Sequence, residues 1–184
     1  MELQNTSQVM IYTAGECCGH SGPGGFGATL SQQGNCQKLS GGFRFTCLYR
    51  TKLWAINKAL ESLKQGSVVT LVSDSWYVVE AYNSGKIENW RRNGWRKART
   101  GETIQNTDLW YDFYKLTLKH SVILKWGRPT DVANHDLCSK MAVLESKNRP
   151  SHMDIFYEKI GKFDHQVAIK NKVKQTQNHW LKYK

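Results

Sequence analysis

The sequence predicts an α/β domain, a mixed five-stranded sheet flanked by helices whose first three strands form an antiparallel meander, followed by a basic C-terminal extension. Three observations predict it. β-rich segments separated by glycine come first, helical periods then alternate with two short apolar runs, and the pattern stops at Pro150, beyond which lysines dominate.

Val9 to Thr13 alternates apolar and polar residues as a half-buried strand does. The stretch GECCGHSGPGGFGATL then reads as a Gly/Pro turn leading into a second strand, and a third strand lies near Gly41 to Thr46. Glu16 would share a face with Ala14 if the first strand continued, but the Gly/Cys sequence there reads as its end. From Tyr49 to Lys64, Leu53, Trp54, Ile56, Ala59, Leu60 and Leu63 recur at helical spacing, and Val68 to Val72 is a continuous apolar run of strand length. Asp74 to Asn83 reads as a helix, RRNGWRKARTGE as a basic loop, Thr107 to Lys119 as a helix, Ser121 to Trp126 as the fifth strand and Leu137 to Glu145 as the closing helix.

A chain of 184 residues holds one core of ordinary size plus an appendage, which divides it into residues 1–146 and a basic extension, 147–184. The formal charge of +11 favours anionic partners such as nucleic acid. Five cysteines form no C-x-x-C pair and no zinc-finger spacing, so they read as reduced thiols of an intracellular protein, with cytoplasm, nucleus and organelle unresolved. The N-terminal segment has no run apolar enough for a signal peptide or membrane span. His120, His135 and His179 stand isolated and read as solvated, and no metal site is read from the residues.

Four blocks resemble ribonuclease HI, the type 1, bacterial-like form with a basic handle, in order from about Val9 to Val143. IYTAGECCGHSGPGGFGATL is similar to that family's first hairpin, with Ala14 where the family has an aspartate. RTKLWAINKALESL is similar to its first helix, keeping Arg50 but placing Lys52 at the glutamate position. LVSDSWYVVEAY resembles the fourth strand and next helix, and Asp74 keeps the catalytic aspartate. NWRRNGWRKARTGETIQNTDLW resembles the handle. Further on, WGRPTDVANHDLCSKMA is shorter than the family's histidine loop. Asn134 can be placed, the loop histidine has no counterpart, and the last aspartate falls on Cys138, or on Ser139 if the register slips.

The resemblance implies two hard cations held by carboxylates, and Ala14, Lys52 and Cys138 remove three of the four acids. Asp136, two positions from Cys138, would lie about 200° around a helix and face elsewhere. An ammonium at position 52 repels a metal, and an internal Lys52–Asp74 ion pair is expected in its place. Cys47, Leu48 and Tyr49 stand where the family has a phosphate-gripping threonine and two groove-reading asparagines. The nucleic-acid contacts expected to remain are Asn89, Trp90, Arg91, Arg92, Trp95, Arg96, Lys97 and Arg99, combining phosphate contact with stacking.

The function expected from these departures is a non-catalytic ribonuclease-H-like subunit, structural or nucleic-acid-binding, in a ribonucleoprotein or reverse-transcription-related assembly. Its partners would be RNA or an RNA/DNA hybrid and other proteins of that assembly, with no membrane and no cofactor. Two alternatives stay open: a weak metal-dependent endoribonuclease acting on RNA/DNA hybrids, which alone would need magnesium, and a protein-interaction module.

Overall fold

The computed structural model describes residues 8–64, 66–128 and 133–159. The elements run β1 (Gln8–Cys17), β2 (Gly22–Gln32), β3 (Asn35–Thr46), α1 (Leu48–Glu61), β4 (Val68–Ser73), α2 (Trp76–Asn83), α3 (Lys86–Arg92), α4 (Thr107–Thr117), β5 (Ser121–Trp126) and α5 (Ala133–Lys147). One sheet of order β3-β2-β1-β4-β5 results, antiparallel from β1 to β3 and parallel from β1 through β4 to β5; the five strands, the mixed sheet and the opening meander are as the sequence predicts.

The hairpin turns lie elsewhere than expected. Gln33 and Gly34, with φ of 49° and 83°, form a two-residue turn of the kind that matches strand twist, so β3 starts at Asn35 instead of near Gly41. Its first half is exposed and polar, which conceals it from a search for apolar alternation. The G-P-G-G segment is no turn but the start of β2, and β1 runs on through Glu16 to Cys17. Glycine is needed in β2 because α5 presses on it: a Cβ on Gly27 would lie 2.3 Å from the Cys138 carbonyl oxygen. The segment RRNGWRKARTGE, expected to be a basic loop, begins inside α3, which follows Gly85 at φ 72° and carries Glu88 in its first turn and Arg91 and Arg92 in its last, matching the helix dipole.

α1 and α5 cover opposite faces of the sheet, since Gly24 abuts Thr51 of α1 while its neighbour Gly25 abuts Ala142 of α5. On the α1 side, Val9, Ile11, Leu53, Ile56, Leu60, Val69, Leu71, Leu109, Trp110 and Phe113 make the main core. Each such large side chain removed from water contributes roughly 1.5–3 kcal/mol.

Arg50 ties this core to the chain that follows α5. Its guanidinium, 1% exposed, forks onto Asp108 at 2.8 and 2.7 Å and onto Asp154 at 2.6 and 2.6 Å. Thr46 Oγ1 donates to the same Asp154 at 2.7 Å. Around this knot the segment after Pro150 returns to the sheet: His152 bridges Phe43 of β3, and Glu158 takes the Arg44 guanidinium at 2.7 Å. The boundary expected at residue 146 falls at the end of α5, and the chain beyond it packs on the domain as far as Glu158; the basic remainder lies outside the described residues.

Removing one partner of a buried ion pair leaves the other charge stranded. Asp154→Ala is therefore expected to lower unfolding stability in urea by about 3 kcal/mol, towards the lower end for buried pairs because Asp108 still holds Arg50. A drop smaller than about 1 kcal/mol, typical of surface pairs, would contradict this.

Candidate active site

Three elements converge where β4 ends alongside β1, which runs on for four residues beyond the last pair. Thr13 pairs with Ser73, so Ala14 and Asp74 are the next residues along two parallel strands. α1 brings Lys52 to this point because Gly15 lets the helix approach: a Cβ there would sit 2.6 Å from the Lys52 backbone nitrogen. From the other face α5 brings His135.

Lys52 Nζ lies 3.2 Å from Asp74 Oδ2, and the two side chains are only 16% and 12% exposed. The ion pair expected from the sequence is thus present. Asp74 Oδ1 is buried and has no hydrogen-bond partner among the described residues. Burial pushes the Asp74 carboxyl above the ordinary carboxylate value, against the opposing pull of Lys52, of His135 and of the Gly15 backbone N–H. Lys52 gives the carboxylate its largest compensation, with smaller contributions from His135 and the Gly15 N–H.

Sequence reasoning misses His135 as a site residue. It is 1% exposed, its Nε2 donates to the Thr13 carbonyl at 3.0 Å, and its ring lies against Tyr12. Cys138, the position expected to replace the last acid, sits one helical turn deeper, with its thiol donating to the Tyr12 carbonyl at 3.2 Å. Burial pushes that thiol up to about 11, and the Cys17 thiol likewise up to about 11, so neither is a thiolate at neutral pH. Ser139 is one position further along the same helix and half-buried. The shortened loop before α5 hides the register, and residues 129–132 of it lie outside the described residues. Asp136 faces solvent and pairs with Lys140 at 2.6 Å, and the Glu16 carboxylate accepts from its neighbour Cys17 N at 3.1 Å.

These residues do not fit a pair of divalent ions. Ala14 offers no ligand, His135 has committed Nε2 to Thr13, and no group of three His, Cys, Asp or Glu among the described residues is arranged to hold a metal. A divalent ion within about 4 Å of the Lys52 ammonium would meet a repulsion of about 8 kcal/mol at an effective dielectric of roughly 20.

Around the pocket lie aromatic and basic side chains. Trp76, 62% exposed and two residues past Asp74, meets Trp126 edge to face, and the Arg128 guanidinium lies over Trp126. No periodicity marks an exposed tryptophan, so the sequence does not reveal this pair. Tyr49, also exposed, packs edge-on against Tyr77. In the handle, Trp90 packs against Trp110 and Trp95 against Tyr111 and Tyr114, which directs both rings towards the core instead of outward for stacking. Arg91 and Arg92 share Glu88, Lys97 pairs with Glu102, and Arg96 donates to the Gly101 carbonyl, while Asn89 and Arg99 are exposed. Among the described residues, no helix is long and apolar enough to cross a membrane.

A family model described as RNase H matches residues 6–142. Among curated relatives, a ribonuclease H of Trichodesmium erythraeum is 34% identical over 157 residues, covering 84% of this chain and 99% of that protein. One of Syntrophus aciditrophicus is 42% identical over 121 residues, covering 66% of this chain and 69% of that protein. Among solved structures, LC9-RNase H1, described as a type 1 RNase H with the type 2 active-site motif, superposes with a TM-score of 0.68 at 21% identity, covering 78% of this chain and 74% of that one, a likeness that speaks for the fold. Relatives that bear an enzyme's name at 34–42% identity overturn the expectation of a non-catalytic assembly subunit and the leaning away from an enzyme.

Because the folded chain holds the Asp74 proton more tightly than the unfolded chain, this group lowers stability as pH rises from about 4 through its folded value. Asp74→Asn is expected to flatten that part of the melting temperature against pH, and Lys52→Met to move the carboxyl titration, followed by NMR, still higher. A downward movement in Lys52→Met would refute the assignment of Lys52 as the opposing charge.

Proposed function

This chain belongs to the type 1 ribonuclease H family, and from that premise we propose that it cleaves the RNA strand of RNA/DNA hybrids, slowly, through a degenerate acid set. The observation that carries this reading is the identity to named ribonucleases H over most of the chain. Slow turnover follows from Ala14 and Lys52, because the residues left around Asp74 do not fit the two divalent ions that supply several kcal/mol of charge stabilisation in such chemistry.

The chain's own residues have definable tasks. Asp74 orients the Lys52 ammonium, and Arg50 fixes the turn of α1 from which Lys52 projects. On the handle, Arg91, Arg92, Arg96, Lys97, Arg99 and Asn89 offer phosphate contacts. Arg91, Arg92 and Lys97 are paired with surface carboxylates and Arg96 with a carbonyl, and surface pairs of that kind yield readily to a phosphate. Trp76 and Trp126 offer apolar faces beside the pocket, a surface suited to the nucleic-acid strand nearest Asp74. Five free thiols, two of them exposed, suit a reducing intracellular compartment.

The test is cleavage of a labelled RNA/DNA hybrid beside single-stranded RNA and duplex RNA, with magnesium and with manganese. Slow cleavage confined to the hybrid is expected, and Ala14→Asp combined with Lys52→Glu is expected to raise it by roughly 100-fold or more, the scale of a few kcal/mol of restored transition-state stabilisation. No hybrid cleavage by the wild type above a buffer control would overturn the proposal, whatever the restored variant does. Replacing Arg96, Lys97 and Arg99 by Ala is expected to weaken hybrid binding and to reduce the slope of log affinity against log salt by about 1 for each phosphate no longer neutralised. An unchanged slope would remove the handle from the interface.

A further inference from the structure

We propose that the Lys52 ammonium is the resident cation of the pocket and meets a backbone phosphate oxygen of the bound nucleic acid in place of a divalent ion. This deepens the hybrid-directed reading and rests on it for the identity of the nucleic acid.

Charge balance carries the inference. Four carboxylates crowded together repel a phosphate until cations neutralise them, so a site built that way depends on divalent ions for substrate approach as well as for chemistry. Here one ammonium faces one carboxylate at 3.2 Å, and Ala14 and His135 add no negative charge, so the pocket is already neutral without an ion. An ammonium has three N–H donors, and the bond to Asp74 Oδ2 uses one of them. The Lys52 side chain is 16% exposed, so it is not sealed off from solvent.

Position is fixed as well as charge. The Lys52 backbone is pinned against Gly15 of β1, two residues beyond the last pair with β4, and two residues earlier in α1 Arg50 is locked by Asp108 and Asp154. A positive charge whose stem is held and whose counter-ion is a strand-end carboxylate meets a phosphate with little reorganisation. A lysine on an open surface would give up far more freedom on meeting the same group.

The experiment has two readouts on the full-length chain. The first is melting temperature in EDTA and in millimolar magnesium at matched ionic strength. No magnesium-dependent rise is expected for the wild type, whereas Ala14→Asp with Lys52→Glu is expected to gain one. The second is affinity for a fluorescent RNA/DNA hybrid in EDTA, measured by anisotropy, where Lys52→Met is expected to bind about 10-fold more weakly, the scale of one charge-assisted hydrogen bond, and Lys52→Arg to stay close to the wild type. Circular dichroism of each variant confirms that it is folded, and Lys52→Arg keeps the charge should Lys52→Met fail to fold. A magnesium-dependent rise in the wild type, or a folded Lys52→Met that binds as well as the wild type, would overturn the proposal. Equal affinity of the wild type for the hybrid and for duplex DNA, with the Lys52 effect intact, would overturn the hybrid reading alone.

Discussion

The position of the first turn of α1 depends on one buried guanidinium. Arg50 lies between two carboxylates that come from distant parts of the chain, Asp108 at the start of α4 and Asp154 beyond α5. A buried arginine is tolerable only when its donors are satisfied, and four charge-assisted hydrogen bonds of 2.6–2.8 Å meet that demand. Folding must therefore bring α1, α4 and the segment after Pro150 together, or leave a charge stranded. Lys52 lies two residues on, so the accuracy of the pocket is inherited from an interaction outside it.

The pocket itself presents two facts that pull in different directions. The chain resembles enzymes over most of its length, yet the side chains around Asp74 are poor ligands for hard cations. The fold places a charged pair, Lys52 with Asp74, where β4 ends alongside β1. A fixed ammonium can attract a phosphate, but it cannot activate water as a metal ion does.

Much of the fold is legible in the sequence because burial writes itself into periodicity. Leu53, Ile56 and Leu60 have to lie on one stripe and Val68 to Val72 has to be a covered strand, and both are so. The first half of β3 and the whole of α3 are not legible, since one is solvent-exposed and polar and the other is a short helix built on Gly85 and charge order more than on an apolar face. At the site, Ala14, Lys52 and Asp74 are placed by the resemblance of the blocks that carry them to ribonuclease HI, and those blocks lie on elements whose periodicity is clear. His135 cannot, because its role is set by the angle at which α5 crosses the sheet, and nothing in the local spacing reports a crossing angle. Trp90 and Trp95 teach the same lesson in reverse: basic neighbours suggest outward stacking, whereas the rings fill space against α4.

β3 forms one margin of the sheet, and an open margin is a template on which another strand can grow. In this chain the segment after α5 occupies part of that margin: the Arg44 N–H donates to the His152 carbonyl at 2.9 Å, and Glu158 draws in the Arg44 side chain. A second molecule attempting to extend the sheet at this end of β3 would first have to peel away its neighbour's own chain and break an ion pair. At this end of β3 the sheet margin is covered by the protein's own chain.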